Sequence, residues 1–160
     1  MPSTATVTAK KISDYILAAF QEVGDPITTA KLHKLLYYVQ GWHLAHFEEP
    51  AFPERLEAWM HGPTCPAVHD LYNGHWGRPI MEPIEQPQDL DVRLRKLIDE
   101  VIELYGIDTG YSLHIRTRME APWMEARNGL SNHHEGCRAE VTHESMKRFF
   151  QAEDALREAA

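Results

Sequence analysis

The chain has 160 residues, 43% of them hydrophobic and 25% charged, with two cysteines and a formal net charge of −8. A domain of this length removes roughly 70% of its unfolded surface from water, enough for a core without disulfide or metal staples, and the composition excludes collagen-like, coiled-coil and mainly disordered classes. No apolar run approaches the roughly 20 residues of a membrane-spanning helix, and Met1-Pro2-Ser3-Thr4 lacks the plan of a signal peptide, so a cytoplasmic protein with Cys65 and Cys137 as thiols is expected.

After Thr8, Ile12, Tyr15, Ile16, Ala19, Phe20 and Val23 recur at the three-and-four spacing of one helical face, stopped by Gly24. Beyond Gly24-Asp25-Pro26, Thr28 or Thr29 caps a second helix running to about Phe47. Its apolar residues Leu32, Leu35, Leu36, Val39, Trp42 and Ala45 spread widely around the circumference, the mark of a central, buried helix. Gly41 inside it costs about 1 kcal/mol against Ala, which makes sense where another backbone or a bulky ring crosses closely. Pro50 and Pro53 break the pattern, Leu56–Trp59 reads as an extended connector, and His61–Pro66 is turn chemistry. Pro66 opens a short helix carrying Val68, Leu71 and Tyr72, ended by Asn73-Gly74. Trp76–Gln88, with Pro79, Pro83 and Pro87, reads as an irregular surface strap.

Asp89 or Asp91 caps the next helix, with Leu94, Leu97, Ile98, Val101, Ile102 and Tyr105 as its stripe up to Gly106. Short helices are expected over Tyr111–Arg118 and Pro122–Arg127, then a polar loop over 128–140. Thr142 caps a last helix with Met146, Phe149 and Phe150 inward, and its tail, residues 151–160, is expected to fray. The sum is an all-α fold: residues 1–160 as one compact multi-helix domain around a central buried helix, with at most a minor β element.

Charge is concentrated in the middle, where residues 48–108 carry five Lys/Arg against thirteen Asp/Glu. Such a surface repels phosphate backbones, so no nucleic-acid partner is expected, while a basic protein would be attracted; acidic residues that merely keep the chain soluble are the alternative. Ten histidines raise a metal-dependent enzyme as the competing function, through His43 and His46, Cys65 and His69, and His134 and Cys137. No Cys-x-x-Cys or His-Glu-x-x-His supports it, and no nucleophile elbow or phosphate loop appears, so no cofactor or catalytic residue is assigned. Large rings mostly belong in a core, but any of Tyr38, Trp42, Trp59, Trp76 and Trp123 left exposed, together with His61, would anchor a protein partner.

The segment Lys31-Leu32-His33-Lys34-Leu35-Leu36-Tyr37-Tyr38-Val39-Gln40-Gly41-Trp42 resembles the opening helix of the SocA-like antitoxin family, also called the Panacea antitoxin domain. Glu57-Ala58-Trp59-Met60-His61-Gly62-Pro63 matches its Glu-Ala-Trp, two variable residues and Gly-Pro, and Pro122-Trp123 with Ala126-Arg127 matches a third motif. With the closing Met146–Phe150 segment, the likeness spans about residues 8–150. Arg118 stands where the family often has His after Thr117, and Thr64 where it usually has Val. The resemblance implies a mostly helical, non-enzymatic antitoxin that binds and neutralises a cognate protein toxin. It also implies, for some members, delivery of that toxin to a cytosolic unfoldase-protease. The small apolar tail residues Ala159 and Ala160 are of the kind such proteases read.

Overall fold

Thr8 Oγ1 accepts the Lys11 N–H at 3.2 Å and starts α1 (Ala9–Glu22); the left-handed Gly24, at φ 75°, turns the chain after it. The computed structural model describes residues 7–72 and 74–159, so the readings at Met1–Thr4, Asn73 and Ala160 lie outside it. Of the two threonines before α2 (Thr29–Phe47), Thr28 is the cap, accepting the Lys31 N–H. Every residue of α2 from Lys31 to Leu44 is buried, which is why its apolar residues show no single face. Downstream lie α3 (Pro66–Leu71), α4 (Val92–Tyr105), α5 (Gly110–Thr117), α6 (Ala121–Arg127) and α7 (His143–Ala159). Helices α1, α4, α5 and α7 all pack on α2. At Gly41 a Cβ would stand 2.1 Å from the Phe150 ring, so the bulky ring expected at that glycine comes from α7.

Leu56–Trp59 is a strand rather than a connector. It is β1, central in an antiparallel sheet of order β2-β1-β3 with β2 (Gly62–Thr64) and β3 (Glu140–Val141). Ala58 pairs with Pro63, which lacks an N–H and is tolerated because β2 is an edge, while Leu56 pairs with Val141 some 80 residues away. The fold is therefore mostly helical with one small sheet. The strap after Trp76 is tied down by Gln21, whose amide donates to the Ile80 and Glu82 carbonyls and accepts the Ile84 N–H.

The segment expected to fray from residue 151 is drawn as helix in the described residues, with α7 continuing to Ala159. Gln151 Nε2 donates to the Ala45 carbonyl and the Arg157 guanidinium lies 4.8 Å from the Trp42 ring, so polar and cation–π contacts hold the last turns where an apolar stripe is missing. Among the described residues, no helix is long and apolar enough to cross a membrane.

Candidate partner-binding site

The turn from β1 to β2 carries Trp59, Met60 and His61 to one end of the molecule, and it closes on a glycine for a steric reason. Gly62 has φ 116°, and a Cβ there would meet Thr117 Oγ1 at 3.0 Å and Lys34 Cε at 3.1 Å. Three further segments reach the same place. His69 of α3 meets the Trp59 ring edge-on at 4.9 Å; Trp76 lies 6.0 Å from His69 and 5.4 Å from His61; and the 128–140 loop brings Glu135, Gly136, Cys137 and Arg138. Together they line a cavity of about 430 Å³.

Hydrogen bonds and cation–π contacts set the walls. Trp59 Nε1–H donates to Glu57, and the Arg138 guanidinium lies 5.1 Å from its ring. Arg127, buried in α6, donates to the carbonyls of Ala58, Ser131 and His134, fastening the loop to β1. His114 Nδ1–H donates to the His61 carbonyl at 2.7 Å, while its Nε2 accepts from Arg118.

A buried cation packs against the Trp76 ring. Lys34 is 1% exposed, its ammonium lies 5.0 Å from the Trp76 ring, and burial, then the charge of Arg118, lowers its pKa to about 7. Neighbouring His33 is fully buried, and burial followed by the Lys34 charge pushes it down to about 3, so it is neutral. Burial also leads the lowering of His61 and His114, with Lys34 and Arg118 adding to it.

Of the six residues singled out from sequence, Trp59, His61 and Trp76 come together here, each at least partly exposed. The other three are core. Tyr38 stacks on Tyr105 at 3.8 Å and donates to Glu120; Trp42 Nε1–H donates to Tyr105; Trp123 Nε1–H donates to the Trp59 carbonyl. Each polar tip finds an internal partner, so these rings have no need of the surface. His69, Glu135 and Arg138, which also line the cavity, were missed, since only tertiary packing distinguishes them from solvated residues.

The spacings weighed for a metal do not converge. His43 donates to the Glu49 carbonyl, Cys65 is buried with its thiol pushed up to about 11 by desolvation, and His69 and Cys137 reach the cavity without His43 or Cys65. Among the described residues no group of three or more His, Cys, Asp or Glu is placed to hold a metal ion.

No curated protein and no solved structure matches the chain. The family described as antitoxin SocA-like, Panacea domain, matches residues 32–124, from α2 to Met124 in α6. That stretch contains Lys34, Trp59, His61, Trp76 and Arg118, and it is more than half of the chain. The chain belongs to the SocA-like antitoxin family with a Panacea domain.

Proposed function

We propose that the chain is the antitoxin of a toxin–antitoxin pair and neutralises a cognate protein toxin by binding it, with Trp59, His61 and Trp76 as the anchor. The observation that carries this reading is the convergence of those three side chains around one cavity, while the other aromatic candidates are used up inside the core. Aromatic side chains around a concavity are the usual centre of a protein interface. Family membership supports the antitoxin role, and a role in binding rather than turnover. The toxin is a basic protein, drawn by exposed carboxylates such as Glu82, Glu85, Asp89 and Glu103. Bound toxin is then presented to a cytosolic unfoldase-protease, a step tested by the toxin's half-life with and without this chain.

The primary test is co-expression with the product of the neighbouring open reading frame. The expected outcome is restored growth and a stoichiometric complex, weakened in a Trp59→Ala/Trp76→Ala variant that keeps its thermal midpoint. A variant that binds as tightly as the wild type would remove the anchor from this cavity.

A further inference from the structure

The outer side of α5 carries apolar surface that the chain does not cover. Leu113 and Thr117 are buried, whereas Tyr111, Ile115 and Met119, spaced four apart and so adjacent along one side of the helix and the turn after it, are 74, 42 and 73% exposed. Ile115 and Met119 line a groove of about 480 Å³ together with Phe149 and Glu153 of α7. This groove shares no lining residue with the Trp59 cavity. Exposed apolar residues are ordinary one at a time, but contiguous ones beside a concavity mark a contact surface.

The polar lining is unbalanced in charge. Glu120, its side chain 13% exposed, lies in the groove with Arg116 3.7 Å away, and the same guanidinium is shared with Asp108 at 4.0 Å. The ion pairs that α7 makes among the described residues run through Lys147 and Arg148, and none uses Glu153. One guanidinium therefore stands among three carboxylates, and it is itself packed over the Tyr105 ring at 5.0 Å. Glu120 faces Tyr37 and Tyr38 of α2, Tyr105 of α4, Arg116 of α5 and Glu153 of α7, and burial raises it to about 7. A cation arriving beside it favours the ionised form.

We propose that the groove between α5 and α7 docks a basic, apolar-flanked segment of a partner protein: a Lys or Arg side chain lays its methylene stem along Ile115, Met119 and Phe149 and brings its charged head to Glu120 and Glu153. Long basic side chains suit such a site, since the stem is apolar and only the head needs a counter-charge. An acidic peptide or a nucleic-acid backbone would bring like charge to Glu120 and Glu153. A purely apolar segment would leave both carboxylates desolvated without a partner. The face is a second docking surface, and it holds whether or not the Trp59 cavity is the toxin anchor.

The experiment titrates a capped amphipathic peptide of about 15 Leu and Lys residues, long enough for an isolated helix, into the full chain and follows the methionine methyl resonances. Met119 reports the groove, Met60 the Trp59 cavity and Met81 the strap. A saturable shift of Met119 is expected, with Met60 and Met81 unmoved, and none with the matching Leu/Glu or Ser/Lys peptides. Glu153→Lys and Ile115→Ser alter side chains outside the core, and each should weaken binding about fivefold or more. Binding should tighten as pH rises from about 6 to 8, where Glu120 ionises, and Glu120→Gln should flatten that dependence. A Met119 methyl unmoved by the Leu/Lys peptide, shifts at Met81 as large as at Met119, or unchanged affinity in both surface variants overturns the groove as a docking site. A Met119 shift on concentrating the chain alone, with self-association in sedimentation, gives the face to a second copy and overturns the proposal as well.

Discussion

Two buried titratable residues make opposite contributions to stability as pH changes. Lys34 has its pKa lowered from 10.5 to about 7, so between those values the native state binds fewer protons than the unfolded chain and stability rises with pH. The rise from about pH 7 to 9.5 should be on the order of 3 kcal/mol. Lys34→Met removes it: urea unfolding should show the variant more stable than wild type near neutrality, with the gap closing at alkaline pH. Glu120 behaves in the opposite sense. Burial raises it from 4.5 to about 7 even though Tyr37 and Tyr38 donate to it, so the native state binds more protons between those values and stability falls as pH rises. Glu120→Gln keeps an acceptor for the two phenols and cannot ionise. Its advantage over wild type should grow by on the order of 2 kcal/mol from about pH 5 to pH 7. A gap that stays constant across that window would mean that Glu120 titrates as an ordinary carboxylate.

At the level of elements, the contact between α2 and α7 depends on Gly41. Alanine there would gain up to about 1 kcal/mol of helix propensity. It would also drive a methyl group to 2.1 Å from the Phe150 ring, which cannot yield because Tyr37, Tyr38, Trp42 and Phe149 surround it at centroid distances of 5.0–5.9 Å. Overpacking of this kind costs about 1–3 kcal/mol, so Gly41→Ala should lower the thermal midpoint despite its propensity. That crossing was legible in the sequence, because a glycine within an apolar helix needs a reason. So was the cap at Thr142, which accepts the Ser145 N–H, since capping is local chemistry. The sheet was not legible. β1 is only four residues long, and one of its partners, Glu140–Val141, lies beyond five intervening elements in a segment whose composition reads as loop. The contact made by the C-terminal turns was not legible for the same reason, since Arg157 lies against Trp42, more than a hundred residues away. The cavity divides along the same line: Trp59, His61 and Trp76 stand out as rings beside turns, whereas nothing local marks Lys34 as the cation that the hairpin folds over.

For the molecule as a whole, charge and contact act at two ranges. The formal charge of −8 and the exposed acids of α4 and the strap set a field that reaches outward, roughly 10 Å at 0.1 M salt. Beside the cavity, Lys34 is a buried cation packed on the Trp76 ring, and the exposed or half-exposed rings of Trp59, His61 and Trp76 act only at contact. A partner drawn by the field and held at the aromatic turn should show the two interactions separating kinetically. Charge at the periphery governs how fast partners meet, and desolvated contacts govern how long they stay. Association with the toxin, followed by stopped flow, should therefore slow as salt rises from about 50 to 500 mM, a range over which the screening length shrinks severalfold. Trp59→Ala should leave the association rate near its wild-type value and speed dissociation by about tenfold or more, as the loss of a central aromatic contact worth roughly 1–2 kcal/mol requires. An association rate that does not change with salt would reduce the acidic band to a solubility feature. An unchanged dissociation rate in Trp59→Ala would move the centre of the interface away from the β1–β2 turn.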